Sequence, residues 1–535
     1  MMQRRMLETR CKKAQTYSVS QRAMVSTQVK TRVAEIDSFP LDGGRLGWGW
    51  ERQSALAPPT PALPHKGGRE TLLFRSELRC VDTIALWERE NYSFDNAFRI
   101  LLGIVLFLSA PGPQRLSAAE PPAPRPLMKD FLGVNGHTIQ FRPELYAQVC
   151  RKVRDYHSFE WDMGKETDFV PRFPEARNRV NWNTVYGSWD KAGFETDVCI
   201  MFNDTPPDQW KDLAKDAHAY GAAFARAFGP SSEKKLVSSL EIGNEPGNYS
   251  DEKYRELFQS MARGLRDGDP KLKILTCNMT VGKSGNYEKS VSCIAGLESL
   301  YDVLTIHTYA MAQGWPTWRR SYPEDPKVDF LKSVEALISW RNASARGKPV
   351  WVTEFGWDAT TKPAPKTGDF AKWDGNVSDQ KQAQYLVRAF LVFAAMDVER
   401  AYLYFFNDSD EPSFHASSGI TRNFEPKPSF HALAHFYRSL WDYRFSRVVQ
   451  KQADEIYVYE FVHGTQPKNK IVVAWSPTGA GRSTEIDFPL GTGRVVRAEK
   501  MPVAAGAAPP ARFNAQAGAV HFTLEESPVY FWLEE

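Results

Sequence analysis

The chain has 535 residues, more than one ordinary domain holds, so its length predicts at least two folded domains. Hydrophobic residues make up 42% and charged residues 24% of the sequence, which is the composition of a globular protein and not of a disordered one. A net charge of +3 leaves no broad basic field, so we expect no nucleic-acid partner.

Residues 1–97 show no sustained hydrophobic period of a helix or a strand. The apolar run FRILLGIVLFLSA then follows, and LSAAE places small residues at a cleavage position, so residues 98–119 are typical of a secretory signal peptide. The run is too short for a membrane span, which needs about 20 apolar residues. We therefore expect a secreted or periplasmic protein with no stable span after cleavage, and a mis-assigned start over residues 1–97. The alternative is a disordered cytoplasmic tail ahead of an uncleaved membrane anchor.

Six cysteines occur, and none has the CxxC or Cys/His spacing of a zinc site. Cys11 and Cys80 fall in the doubtful leader. Cys277 and Cys293 flank one loop and could pair in an oxidising compartment, whereas buried free thiols are the other interpretation. No motif indicates a metal or an organic cofactor, so we expect none.

Short apolar runs alternate with helical segments between residues 120 and 441. The runs lie at 131–137, 152–161, 195–204, 236–245, 273–279, 301–309, 348–357 and 400–408. Helix signals between them include a start at Pro207, an end at Gly268 and an N-cap at Ser378. Weak period-two alternation in the runs is typical of buried parallel strands. The pattern predicts an α/β fold, a (β/α)8 TIM barrel.

Residues 442–535 change to short strand-like runs separated by turn residues, among them EIYVYEFVHG, NKIVVAWSP and PVYFWLEE. This spacing predicts a small all-β sandwich packed against the barrel. Binding of a glycan is one role for such a domain, and stabilisation of the barrel is the role that we favour.

Two glutamates end predicted barrel strands: Glu245 ends the fourth strand in EIGNEPGNYS, and Glu354 ends the seventh in WVTEFGW. Pro246 stops the fourth strand because proline cannot donate to a sheet ladder. Chemistry in a TIM barrel lies at this end of the strands. Two carboxylates facing each other across the mouth are what retaining glycoside hydrolysis requires, at a separation of about 5 to 5.5 Å.

The string EIGNEP resembles the acid/base motif of glycoside hydrolase clan A, the retaining TIM-barrel glycosidases, and WVTEFGW resembles the nucleophile strand of that clan. HTY at 307–309 is similar to the His-x-Tyr of strand six, and VR at 153–154 is similar to the arginine of strand two. The resemblance covers about 310 residues and is closest to the family 39 and family 5 enzymes.

The resemblance implies that Glu245 is the general acid/base and Glu354 the nucleophile. It implies that Asn244 binds the sugar 2-hydroxyl and that Tyr309 donates a hydrogen bond to Glu354. Strand eight departs from the clan, because YLYFFND has no tryptophan to serve as the sugar platform and Phe405 or Phe406 replaces it. The predicted substrate-binding residues are Asn244, His307, Tyr309, Arg154, Trp161, Trp357 and Phe406.

These features predict a secreted retaining glycoside hydrolase that cleaves β-linked glycosides or polysaccharide, with a carbohydrate as its partner. The alternatives are a non-catalytic carbohydrate-binding protein on a TIM-barrel scaffold and a transglycosidase. The presence of both glutamates together with Asn244 and Tyr309 favours an enzyme.

Overall fold

The structure, a computed structural model, describes residues 124–490, 493–516 and 518–534. The predicted leader (1–97), the signal-like segment (98–119), Cys11 and Cys80 lie outside the described residues. In the part of the chain that is described, no helix has the length and apolar character needed to cross a membrane.

Eight parallel strands form a closed barrel. Each strand pairs with the next in the chain, and the eighth pairs with the first through Val134 and Leu403, so the sheet has no free edge. The predicted TIM barrel is confirmed. The strands are β1 (Leu132–Asn135), β2 (Lys152–Ser158), β3 (Glu195–Met201), β4 (Ser239–Ile242), β5 (Lys273–Thr280), β6 (Val303–His307), β7 (Val350–Phe355) and β8 (Arg400–Leu403).

Helices surround the barrel. They are α1 (Met128–Phe131), α2 (Pro143–Val149), α3 (Phe159–Met163), α4 (Trp182–Lys191), α5 (Leu213–Phe228), α6 (Asp251–Gly268), α7 (Phe330–Ser344), α8 (Asp379–Ala395) and α9 (Pro428–Leu440). The crossover after β5 contains a two-residue strand, Lys289–Ser290, and a short 3-10 turn, Val291–Cys293, in place of an α-helix.

Two of the three helix signals agree with the structure. The α6 helix ends at Gly268, and the Ser378 side chain caps α8 by accepting from the backbone N–H of Lys381. The predicted start at Pro207 is wrong, because α5 begins at Leu213. Pro207 opens a separate 3-10 turn, and Asp212 caps the helix by accepting from a backbone N–H in its first turn.

The lower end of the barrel interior contains a small apolar cluster next to buried polar side chains. Leu275, Val303, Trp351 and Tyr402 form a buried cluster separate from the main core. Their neighbours along the strands pack outward with the helices, since side chains of a strand alternate between its two faces. Polar side chains lie beside this cluster as well, since buried Asp197 accepts hydrogen bonds from Ser239 and Tyr402, and a second, larger polar group lies at the upper end of the barrel, where the strands end.

The C-terminal part is a β-sandwich, as predicted. Its strands are β9 (Tyr443–Gln452), β10 (Ile456–His463), β11 (Asn469–Trp475), β12 (Ser483–Pro489), β13 (Arg494–Lys500), β14 (Asn514–Gln516), β15 (Ala519–Glu525) and β16 (Val529–Glu534). A five-stranded antiparallel sheet (β9-β10-β11-β16-β13) faces a three-stranded one (β12-β15-β14).

The three central strands of the five-stranded sheet (β10, β11 and β16) are apolar on both faces. Val458 and Phe531 belong to the cluster shared with the smaller sheet, whereas Tyr459, Trp475 and Tyr530 belong to the core shared with the barrel. A half-buried sheet would expose the second face. The composition of this sheet therefore fits a domain that packs against the barrel.

The four described cysteines are free and buried. Cys277 lies in β5, and the Cys293 thiol donates to the Ser290 carbonyl 2.8 Å away. Of the two interpretations of this pair, the structure therefore has the buried free thiols.

Candidate active site

The two glutamates reach the barrel mouth by different routes. Glu354 is a buried residue of β7. Glu245 lies in the turn after β4 and has a φ of +33°, a left-handed backbone that is unusual for a residue other than glycine. The Asn203 side chain holds this turn by donating to the Glu245 carbonyl at 3.0 Å. Residues in such sparsely populated conformations cluster at functional sites.

The two carboxylates lie close together, with His307 between them. One oxygen of each glutamate and a ring nitrogen of His307 all lie within 4.8 Å of one another. The His307 Nδ1 is 2.9 Å from Glu245 and 3.6 Å from Glu354. Retaining glycosidases hold their carboxyl groups about 5 to 5.5 Å apart, and inverting ones about 6.5 to 9.5 Å. The spacing is on the retaining side of that division.

Glu354 accepts hydrogen bonds from three side chains. Arg154 Nη1 (3.0 Å) and Tyr156 Oη (2.6 Å) donate to Oε1, and Tyr309 Oη (2.9 Å) donates to Oε2. Burial and the negative charge of Glu354 raise the pKa of both tyrosines well above its usual value, so both phenols keep their protons. Glu354 is therefore surrounded by three hydrogen-bond donors, one of them a guanidinium, and such donors favour the charged form of a carboxylate.

Glu245 has a different environment. Burial raises the pKa of its carboxyl group, and His307 is its hydrogen-bond partner. Burial also lowers the pKa of His307 to about 4, so this ring is neutral at pH 7. Since Arg154 can only donate, its contact of 3.4 Å with His307 Nε2 leaves the ring proton on Nδ1, facing Glu245. A raised pKa suits a carboxylic acid that must give up a proton.

Arg154 links the polar side chains of the site through its hydrogen bonds. Its fully buried guanidinium donates to Glu241 (2.7 Å), Asn135 (2.9 Å) and Asn244 (3.0 Å) in addition to Glu354. The contact to Asn244 uses the amide oxygen, so the Asn244 NH2 group remains to donate to a ligand. Burial raises the pKa of Glu241 to about 7, and this residue adds a third carboxylate around one arginine.

Glu245, His307 and Glu354 are also spaced closely enough to hold a metal ion. The Arg154 guanidinium lies 3.0 Å from Glu354 and opposes a second positive charge there. The chemistry of this donor set therefore fits an acid/nucleophile pair better than a metal site.

Two of the aromatic residues predicted to bind the sugar, Trp357 and Phe406, are buried away from the site, so the prediction is wrong for both. Trp357 is fully buried, and its Nε1 donates to the Ser321 carbonyl at 2.7 Å. Phe406 is fully buried and stacks on Tyr146 with ring centroids 3.4 Å apart. Both side chains face the helical layer and not the barrel mouth. Trp161 is half-buried on α3 and stacks on Trp182, and its predicted role in sugar binding stays a prediction.

Several residues at or near Glu354 were not predicted from the sequence. Tyr156 lies two residues after Arg154 on β2, so the two-residue period of a strand could have identified it. Glu241 lies four residues before Glu245, and no pattern in the sequence indicated that it belongs to the site. Tyr404 and His415 follow β8, and their rings lie 5.7 Å apart beside Tyr309.

Solved structures of similar fold are glycoside hydrolases. A family 39 glycoside hydrolase from Bacteroides cellulosilyticus WH2 aligns with a TM-score of 0.58 and 19% identity over 77% of this chain and 81% of its own. A glucosidase from Croceicoccus marinus aligns with a TM-score of 0.52 and 11% identity over 77% and 97%. A family 51 alpha-L-arabinofuranosidase from Bifidobacterium longum aligns with a TM-score of 0.50 and 14% identity over 77% and 96%.

No protein-family profile and no curated protein matches the sequence. The structural similarity therefore confirms the predicted resemblance to clan A at the level of the fold. Because one fold hosts many functions, the activity has to be argued from the residues of the site.

Proposed function

We propose that the protein is a retaining glycoside hydrolase that cleaves β-linked glycosides or polysaccharide. The observation that carries this proposal is a pair of carboxylates within 4.8 Å of each other in unequal surroundings. Glu354 accepts three hydrogen bonds, one of them from a cation, whereas burial raises the pKa of Glu245. Carboxylates separated in this way divide naturally into a nucleophile and an acid.

The proposed reaction has two steps. In the first, Glu245 protonates the glycosidic oxygen while Glu354 attacks the anomeric carbon, so the glycosidic C–O bond breaks and a glycosyl ester forms on Glu354. In the second, the Glu245 carboxylate takes a proton from water, and the water oxygen attacks the same carbon. The ester bond then breaks, Glu354 regains its charge, and Glu245 regains its proton.

Neighbouring residues have supporting roles in this proposal. The free NH2 group of Asn244 donates to the sugar 2-hydroxyl, a contact that strengthens in the transition state. Arg154 and Tyr309 hold Glu354 ionised and oriented. His307 lies between the two carboxylates and fixes the rotamer of Glu245.

The test uses the full chain with a panel of 4-nitrophenyl β-glycosides and β-glucans, together with Glu354→Ala and Glu245→Ala. We expect the wild type to release nitrophenol from at least one substrate. Azide should then rescue Glu354→Ala with formation of an α-glycosyl azide, because azide occupies the place of the nucleophile. Azide should rescue Glu245→Ala with formation of a β-glycosyl azide, because the ester on Glu354 still forms.

The other hypotheses predict different results. A carbohydrate-binding protein turns over no substrate, and neither alanine substitution changes its binding of glycan. A transglycosidase releases nitrophenol but passes the sugar to an acceptor sugar in preference to water. Product analysis in the presence and absence of an acceptor sugar therefore distinguishes a hydrolase from a transglycosidase.

We further propose that the protein is secreted, on the basis of the apolar segment at 98–119. Expression of the full chain followed by fractionation and N-terminal sequencing tests this proposal. We expect a mature N-terminus near residue 120 in the extracellular or periplasmic fraction. A cytoplasmic protein that keeps the apolar segment contradicts it.

A further inference from the structure

His415 lies one side chain away from the proposed nucleophile. Its ring packs edge-on against Tyr309 with centroids 4.3 Å apart, and Tyr309 donates to Glu354 at 2.9 Å. Tyr404 borders the same ring at 5.7 Å. His415 belongs to the segment after β8, so it approaches Glu354 from a different element than the residues of β2 and β6 do.

Arg320 determines which nitrogen of the His415 ring carries the proton. The guanidinium Nη2 lies 3.0 Å from His415 Nδ1, and a guanidinium can only donate, so Nδ1 accepts and Nε2 carries the ring proton. Asp358 holds this arrangement because it pairs with Arg320 at 3.2 Å and accepts from the His415 backbone N–H at 3.1 Å. Burial and the Arg320 charge lower the pKa of His415 well below its usual value, so the ring is neutral.

The donor Nε2–H has no protein partner in the described ranges, although Nδ1 of the same ring does. The His415 backbone has a φ of +63°, a left-handed conformation that is uncommon for a residue other than glycine and is typical of functional sites. Packing alone would be served by a phenylalanine, which needs neither Arg320 nor Asp358. The arrangement instead fixes one tautomer and leaves its donor free.

We infer that His415 is a substrate-binding residue whose Nε2–H donates to a hydroxyl group of the sugar held over Glu354. This inference rests on the proposed glycosidase function. Because Asn244 is assigned to the 2-hydroxyl, the partner of His415 is the 3-, 4- or 6-hydroxyl of that sugar.

The charge balance favours a neutral sugar over an acidic one at this position. Asp358 compensates the charge of Arg320, both side chains are fully buried, and the His415 ring is neutral. A sugar carboxylate would meet no uncompensated positive charge there, whereas a hydroxyl oxygen needs only one neutral donor. His415 therefore acts as a specificity residue for an unmodified hydroxyl.

A double-mutant cycle tests the inference in the full-length protein, with one change made in the protein and the other in the substrate. The probes are the 4-nitrophenyl β-glycoside that the wild type hydrolyses fastest and its 2-, 3-, 4- and 6-deoxy analogues. The variants are His415→Phe, which keeps the ring packing, His415→Gly, which suits the left-handed backbone, and His415→Asn, which replaces the ring N–H by an amide N–H donor. His218→Phe, on the outer helix α5, is the matched control.

We expect His415→Phe to lower kcat/KM on the parent glycoside about tenfold, the effect of one lost hydrogen bond. On one of the 3-, 4- and 6-deoxy analogues, kcat/KM of the wild type should fall by the same factor. On that analogue kcat/KM of His415→Phe should fall no further. The 2-deoxy penalty should be equal in both proteins, and His415→Asn should recover part of the loss. If His415→Phe fails to fold, His415→Gly carries the same comparison.

Equal penalties in the wild type and in the His415 variants on every deoxy analogue overturn the inference while leaving the glycosidase proposal intact. A wild type that hydrolyses none of the glycosides overturns the proposed function, and the inference falls with it. His218→Phe should match the wild type on all five substrates, and a similar loss there would show that the effect is not specific to His415.

Discussion

Tyr156 donates a hydrogen bond of 2.6 Å to the Glu354 oxygen that also accepts from Arg154. Both donors come from β2, two residues apart, so one strand delivers a phenol and a guanidinium to a single carboxylate oxygen. Tyr309 on the loop after β6 takes the other oxygen. The proposed nucleophile is therefore held from two sides, and of its three donors only Tyr156 was not expected from the sequence.

Removing a donor from Glu354 should slow the reaction. A hydrogen bond to a charged group is worth about 1.5 to 3 kcal/mol, so Tyr156→Phe should lower kcat about 10- to 150-fold. KM should change little, because the phenol contacts the carboxylate and not the bound sugar. Steady-state kinetics on a 4-nitrophenyl β-glycoside measures both constants.

Tyr437→Phe is the control for that substitution, because its buried hydroxyl has no partner among the residues that the structure describes. We expect kcat to be unchanged in this variant. A comparable loss in both variants would assign the effect of Tyr156→Phe to general packing, and a raised KM with normal kcat would place Tyr156 in sugar binding.

The pH dependence of the reaction should report the proton on Glu245. Burial raises its pKa above 4.5, so the acid form persists to higher pH than in a free glutamate and is lost as the pH rises through the raised value. We expect kcat/KM to fall on the alkaline side for this reason. With a 2,4-dinitrophenyl glycoside, whose leaving group needs no proton, Glu245→Ala should lose that alkaline fall. A fall that persists in Glu245→Ala would assign it to another group.

The barrel and the two glutamates could be predicted because strong local signals mark them. Buried parallel strands read as apolar runs, and a carboxylate at the end of such a run is costly unless it has a role. The predicted runs contain or overlap all eight strands of the barrel. Pro246 marks the end of the fourth run, and Glu245 follows β4 in the turn there.

The aromatic residues could not be assigned because their direction depends on packing. Trp357 follows β7, but the chain there turns its ring toward Phe330 and Tyr385 in the helical layer. Tyr404 and His415 lie beside Tyr309 only because the segment after β8 folds back over the mouth. No periodicity extends into such segments, so the sequence alone does not reveal which ring faces the site.

Glu324 should be important for the attachment of the β-sandwich. Its buried carboxylate accepts from Trp475 of the sandwich at 2.6 Å and pairs with Arg388 of α8. Breaking a buried ion pair by removing one partner costs about 3 to 5 kcal/mol, so Glu324→Ala should lower the free energy of unfolding by that order. Glu335→Ala, at an exposed position on α7, should change it by less than about 0.5 kcal/mol. Chemical denaturation measures both, and equal effects would contradict a specific role for Glu324.

Glu241 should make the stability of the protein depend on pH. Its pKa is about 7 in the folded state against an ordinary 4.5, because burial disfavours the charge. The folded state therefore binds this proton more tightly than the unfolded state, and its stabilising effect is complete below pH 4.5 and is lost as the pH rises through 7. The shift corresponds to up to about 3 kcal/mol.

Glu241→Gln keeps an oxygen that can accept from Arg154 and removes the titrating group. We expect its free energy of unfolding to fall less steeply between pH 4.5 and 7 than that of the wild type, so that the variant gains relative stability at the higher pH. Glu425→Gln, at an exposed position, should leave the wild-type slope unchanged. Urea denaturation at a series of pH values gives the slopes, and parallel curves for Glu241→Gln and the wild type would show that Glu241 is ionised throughout this range. In that case the attraction between Arg154 and Glu241 would outweigh the cost of burying the Glu241 charge, and Arg154 would keep Glu241 ionised.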